Sequence, residues 1–343
     1  MRAAAPLTLH DDHCWRTDGN SPVIADGSGV LAFFSHYLPR GHTLRRAGAR
    51  DLHFQEASVP VILLDEVPSR VGTWIEAIWR EPGGRLRCWF HAEEPASRDG
   101  KLSVPHIGEM ISADNGKSWR GRRTILAFTD VDCSWRNGFF AGGCGDLCVV
   151  PDPSAQWLYL FFTSYHVEPQ AQGIAVMRLP AGQGEPELWC GEGWVSDLKR
   201  PPRPIWPVER GWRHQNPESF WGPAVHFNRS IGRYVMLLNR TANGEGDLRQ
   251  EGIYVSCCPT LADPTAWSRP MKLVEGGAWY PQVIGLQAGD GDTRAGGVAR
   301  FFMAGFSLWE LEFTAPGVAP ENRPLRPTEQ EFFARFGRKR CPW

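Results

Sequence analysis

The chain has 343 residues, enough for one large domain or two ordinary ones, and a formal net charge of -1 with no basic stripe, which argues against nucleic acid as a partner. It has no run of about 18 apolar residues, so no membrane-spanning helix is expected. The opening MRAAAPLTLHDDHCW lacks the apolar core of a signal peptide, which leaves a cytoplasmic location by default.

In chain order, one pattern occurs five times: a short apolar strand, a tight turn, and a second strand rich in aromatics. It reads SPVIADGSGVLAFFSHY from Ser21, IEAIWREPGGRLRCWFHAE from Ile75 and DLCVVPDPSAQWLYLFFTSY from Asp146. It returns as GPAVHFNRSIGRYVMLLNRT from Gly222 and as PQVIGLQAGDGDTRAGGVARFFMAGF from Pro281. Repeated β-hairpin units at this scale indicate a radial or stacked array. Third strands are expected at LHFQ from Leu52, IGEMIS from Ile107, GIAVMRL from Gly173, GIYVS from Gly252 and WELEF from Trp309. Outer fourth strands are expected at VILLD from Val61, RTILAF from Arg123, PELWC from Pro186 and MKLVE from Met271. The fifth unit has no fourth strand of its own, and APLTLH from Ala5 can supply it, joining the two ends of the chain in one blade. The expected fold is all-β: a five-bladed β-propeller of four-stranded blades, one domain over residues 1–319. A tail over 320–343 is expected to pack on or cap it, partly helical from Thr328 to Phe336.

The 9 cysteines form no two-by-two metal knuckle and read as buried thiols. The 16 tryptophans are the compositional outlier. Most should pack between sheets; the remainder can stack on the C–H faces of sugar rings. Ser112, Asp114, Gly116 and Trp119 fit S-x-D-x-G-x-x-W, which resembles the Asp-box of sialidases and related propellers. The physics is that of a turn: Asp takes backbone N–H groups, Gly permits positive φ, and Trp packs beneath the hairpin.

In a propeller the first strand of each blade lines the axis. At its start the units place Asp18, Glu76, Asp146 and Glu218, with Trp221 and His226 in the fourth unit and Trp279, Tyr280 and Gln282 in the fifth. Strand interiors usually exclude carboxylates. Each could be a backbone cap or an Arg partner, but four together suggest a cluster. Paired carboxylates across a sugar-sized funnel suit glycosidic cleavage: one protonates the leaving oxygen, another activates water or attacks carbon. His91 and Arg240 close their hairpins near the same face, and Asn137 lies in a Gly-rich connection into Asp146; these are candidate sugar contacts.

Over residues 15 to 314 the blade pattern resembles the five-bladed propeller glycoside hydrolases, the broad group of arabinanases, xylosidases and fructosidases. That resemblance implies a base Asp at the start of the first blade, an Asp in a middle blade and an acid Glu before Gly-Pro. Asp18 and Asp146 can take the first two places. Trp221 stands before Gly222-Pro223 where the acid is expected, and Glu76 is the preferred substitute. The expected function is cleavage of a plant or microbial glycan through axial carboxylates, with inversion. Two alternatives are a non-catalytic propeller that binds a glycan or protein, and a metal-dependent propeller enzyme such as a lactonase, lyase or phosphorylase. No metal ligand is assigned; a central Ca²⁺ on axial oxygens is the one cofactor the pattern leaves open. The expected partner is carbohydrate, with neither nucleic acid nor membrane.

Overall fold

The structure is a computed structural model describing residues 1–10, 17–36, 42–54, 56–65, 72–96, 102–182, 184–242 and 250–314. The tail over 320–343, with the helix expected from Thr328 to Phe336, lies outside the described residues. Apart from single 3-10 turns at Pro169–Ala171 and Pro264–Ala266, the described residues form strands, turns and loops. Five antiparallel sheets make the five blades of a propeller. Their innermost strands are Val23–Asp26, Thr73–Arg80, Cys144–Pro151, Ser219–Asn228 and Gln282–Gly285, in blades 1 to 5.

The alternation that marks the hairpins decides which residues pack between blades. Leu31, Phe33, Ile75, Phe90 and Trp119 fill the space between blades 1 and 2. Trp89, Ile107, Leu147, Leu160 and Phe162 fill that between blades 2 and 3. Tyr159, Phe161, Tyr234 and Leu238 join blades 3 and 4, and Leu237, Ile253, Phe301 and Leu308 join blades 4 and 5. Val23, Val30, Ile284 and Phe302 complete the circle between blades 5 and 1. Each such side chain contributes about 1.5–3 kcal/mol by leaving water.

The fifth blade is closed by the N-terminal strand Arg2–Thr8, which pairs antiparallel with Phe306–Glu312. The strand expected from Ala5 therefore supplies the outer edge.

Blade 1 corrects two expected strands. Its third strand is His42–Ala49, not LHFQ, and its fourth is Val59–Pro60. Leu52 has φ 65 and sits in a turn. Phe54 lies where a Cβ on Gly48 would meet it at 2.4 Å, so the segment folds back over the strand instead of extending it. Of VILLD, Ile62–Leu63 crosses to pair parallel with Ser118 and Trp119 of blade 2. At the Ser112–Trp119 turn, Asp114 accepts from Ser118 N at 2.9 Å and from Ser112 Oγ at 2.7 Å, and Trp119 is fully buried. The described cysteines are all free thiols.

Candidate active site

Three innermost strands slip register near their N-terminal ends: between Ile75 and Ala77, between Gly145 and Leu147, and between Trp221 and Ala224. A bulge adds a residue and re-aims its side chain. The added residues are Glu76 in blade 2, Asp146 in blade 3 and Gly222-Pro223 in blade 4. Asp146 has φ 46, a left-handed conformation that costs a non-glycine residue about 1–3 kcal/mol and persists only where its surroundings fix it. Gly222 has φ 58, and a Cβ there would stand 2.6 Å from Asn239 Nδ2, so only glycine fits. Gly19, with φ 120, brings its backbone against Glu76, where a Cβ would meet Cγ at 3.1 Å.

Glu76 is the deepest carboxylate, 1% exposed. Its Oε1 is hydrogen-bonded to His91 Nδ1, and Oε2 accepts from the backbone N–H groups of Asn20 and Leu147, each at 3.2 Å. Burial opposes charge on the His91 ring, but Glu76, Asp146 and Glu93 outweigh it and hold His91 up at about 9. Burial also pushes Glu76 up, while His91 pulls it back. With an imidazolium and two N–H groups as donors, the pair is an ion pair. Trp74 stacks on the His91 ring at 4.7 Å.

Asp18 is of intermediate exposure as a residue, with its carboxyl drawn into the cluster by two hydrogen-bond contacts. Trp74 Nε1 donates to its Oδ2 at 3.0 Å, and the Tyr280 hydroxyl lies 3.2 Å from Oδ1. Removal from water, then the negative charge of Glu93, raise Asp18 to about 7; His91 opposes them and Asp146 adds to them. The same Tyr280 hydroxyl lies 3.0 Å from Asp146 Oδ1, and the Tyr165 hydroxyl donates to Asp146 Oδ2. One phenol thus spans the gap between two carboxyls. Glu93, 19% exposed, lies 3.9 Å from His91 Nε2 and accepts from Ser103 Oγ at 2.7 Å.

Of the residues singled out in the sequence, Asp18, Glu76, Asp146, His91 and Tyr280 come together at the axis. Trp221 and Trp279 adjoin them: Trp221 meets the rings of Tyr280 and Trp279, each at 5.6 Å. The others lie elsewhere. Glu218 pairs with Arg210 at 2.5 Å, and Arg240 pairs with Glu209 at 2.9 Å. His226 is buried within blade 4 against Phe313, and burial lowers it to about 3. Gln282 clamps blade 5 to blade 1, exchanging two 2.8 Å bonds with the backbone of Ser21. Asn137 ties its own loop, accepting from Phe139 N and Phe140 N and donating to the Trp212 carbonyl. Asn20 reaches across the axis, donating to the carbonyls of Leu147 and Pro223 at 2.8 Å.

Sequence reasoning passes over Tyr165 and Trp74, whereas Glu93 is legible beside His91 at the end of the second unit's hairpin. All three lie at hairpin ends flanking the recognised strands. A layer of loop aromatics, including Trp135, Phe140 and Trp212, backs the site through Tyr165.

Glu76, His91 and Asp146 bring ligand-type atoms within 4.8 Å of one another, the set in which a central Ca²⁺ would be sought. Ca²⁺ takes about six to eight oxygen ligands. Here Glu76 faces two N–H groups and an imidazolium, and both Asp146 oxygens face phenol hydroxyls. Those donors favour negative charge at this point, so the arrangement does not fit a calcium ion.

No family model matches the chain, and no curated protein is similar to it in sequence. Its fold is shared with solved structures. A candidate exo-β-1,3-galactanase from Bifidobacterium bifidum S17 superposes with a TM-score of 0.54 at 14% identity, over 92% of this chain and 94% of that one. The α-L-arabinanase of Penicillium chrysogenum, complexed with arabinobiose, gives 0.52 at 12% identity, over 88% and 80%. The exo-β-1,3-galactanase of Phanerochaete chrysosporium, with galactose, gives 0.53 at 12% identity, over 92% of this chain but 64% of that longer one. At such identities the likeness establishes the five-bladed propeller fold.

Proposed function

We propose that this protein is a glycoside hydrolase acting on a plant or microbial glycan. The observation that carries the reading is Asp18: a carboxyl on a residue of intermediate exposure, joined through Tyr280 to a buried acid cluster and poised near neutrality. A carboxyl balanced there gives up a proton with little penalty at the pH where it works. The fold shared with galactanases and an arabinanase supports the same substrate class.

In this mechanism neutral Asp18 donates its proton to the glycosidic oxygen as the bond from that oxygen to the anomeric carbon breaks. Glu93, a partly exposed carboxylate of the cluster, takes a proton from water as the water oxygen bonds to the anomeric carbon. Inversion results when water attacks the face opposite the leaving group. Asp146 stays behind Asp18 and keeps its proton affinity high. Glu76, with every oxygen occupied by a donor, fixes His91 and supplies charge rather than a mobile proton. Trp221 and Trp279 offer apolar surface to the sugar C–H faces.

The test is hydrolysis of aryl glycosides, β-1,3-galactan, arabinan and bacterial polysaccharides by wild type, Asp18→Asn and Glu93→Gln. Turnover by wild type should fall at least about 100-fold in each variant. Because Asp18 acts protonated, wild-type activity should decline as pH rises through about 7. Undiminished turnover by Asp18→Asn would sink the assignment.

A second reading is a non-catalytic glycan-binding propeller. It is favoured by Trp221, which stands before Gly222-Pro223 where the resembling enzymes carry their acid. Wild-type protein that binds glycans, turns none over, and binds equally well as Asp18→Asn would support it.

A further inference from the structure

We propose that Asp18, Tyr280 and Asp146 form one proton line, in which Tyr280 is the positioning residue that holds a hydrogen on Asp18. The proposal deepens the hydrolase reading and rests on it for its catalytic consequence; the line itself can be read without turnover.

The hydrogens at this point can be counted. A phenol has one hydrogen to give and lone pairs to accept with. The Tyr280 hydroxyl touches a carboxyl oxygen on each side, at 3.0 Å on Asp146 and 3.2 Å on Asp18. It cannot donate to both. Asp146 is the closer and more deeply buried acceptor, 5% exposed. An unsatisfied buried carboxylate is the costlier outcome, so the hydrogen belongs to Asp146. The contact with Asp18 is then a hydrogen bond only if Asp18 brings its own hydrogen on Oδ1. Its other oxygen, Oδ2, already accepts from Trp74.

The surroundings agree. The titratable and charged groups facing Asp18 are His91 and Glu93 of blade 2, with Glu76 behind His91, Asp146 of blade 3, and Tyr280 of blade 5. Three carboxylates against one imidazolium disfavour another negative charge. Removing the Asp18 proton would also force Tyr280 to turn its hydrogen away from Asp146, leaving Asp146 with Tyr165 alone. That trade keeps the acid loaded. Tyr280 is held in place by a left-handed backbone, φ 55, a conformation that persists only where the surroundings fix it.

The experiment is a pH titration of the Asp18 carboxyl carbon by NMR, assigned by its loss in Asp18→Asn. In Tyr280→Phe the neutral form loses the oxygen its hydrogen pointed at. The Asp18 midpoint should therefore fall by at least about one pH unit, a tenfold change in proton affinity. A midpoint that stays or rises would overturn the proposal, since a Tyr280 that donates to Asp18 stabilises the charged form and its loss would raise the midpoint. Should Tyr280→Phe fail to fold, Asp146→Asn serves instead. It is nearly isosteric, tolerates positive φ, and frees the Tyr280 hydrogen to turn toward Asp18. The midpoint should fall by more than in Glu93→Gln, which removes a like charge that weighs more on Asp18 without touching Tyr280, and a fall no larger than that overturns the proposal. Wild type without turnover on any glycan would defeat the hydrolase reading and leave this titration as it stands.

Discussion

Glu76→Ala should lower the stability of the fold by about 3–5 kcal/mol at neutral pH, measured as the shift in urea unfolding. The substitution removes the counter-charge from a buried imidazolium and strips two backbone N–H groups, on Asn20 and Leu147, of their acceptor. Without Glu76, the chief group holding its proton on, His91 is left to burial, which favours giving that proton up. The pH dependence has a definite sign. A histidine raised above its unfolded value of 6.5 contributes stability that is complete below 6.5 and lost as pH rises through about 9. The gap between wild type and Glu76→Ala should therefore narrow in alkali. Glu76→Gln should cost less, because its amide oxygen can still accept from both N–H groups. A loss below about 1 kcal/mol for Glu76→Ala would show that the ion pair contributes no more than a surface pair does.

His226→Leu should make the protein markedly more resistant to acid. His226 is 1% exposed, its Nε2 has no hydrogen-bond partner, and burial alone lowers it to about 3. The folded state thus holds it neutral, whereas the unfolded chain protonates it below 6.5. Stability is lost as pH falls from 6.5 toward 3, by an amount on the order of 4 kcal/mol. Asp18 and Asp292, both raised to about 7 chiefly by burial, act in the opposite direction. Their folded forms hold protons more tightly, so they add stability as pH falls from 7 toward 4. The difference between variant and wild type isolates the histidine from them. Parallel stability curves for the two proteins between pH 6.5 and 4 would rule out this role for His226.

The hairpins were legible because each innermost strand is a short apolar run bounded by turn residues, a pattern that survives without knowledge of its neighbours. Glu76 and Asp146 stood out for the same reason: each interrupts such a run, and each proves to sit on a bulge. Bulges themselves leave no mark in the sequence, since the slip is a property of two strands together. The third strand of blade 1 was missed because HTLRRAGA has two adjacent arginines and no apolar alternation. Those arginines bond to backbone carbonyls of Asn115, Phe54 and Glu56, partners that no local reading supplies. Tyr165 and Trp74 were hidden differently. Aromatics are expected in propeller cores, and only the positions of their hydroxyl and indole hydrogens separate a site residue from a packing residue. Glu218 shows the converse. A carboxylate three residues from Gly-Pro looks axial on paper, yet an isolated bridge with Arg210 turns it to an ion pair outside the cluster.

The strand Arg2–Thr8 finds its partner at Phe306–Glu312, nearly the full chain length away. A ribosome delivers the first of these long before the second. Until that partner has been made, the leading segment must wait as an unpaired edge. Joining ends so far apart costs only slowly growing entropy, but it is slow in time and leaves strand edges open to other chains. The closing step is therefore where a nascent chain is most exposed to aggregation, and a bulky N-terminal fusion would weigh on that step before it touched any chemistry at the axis.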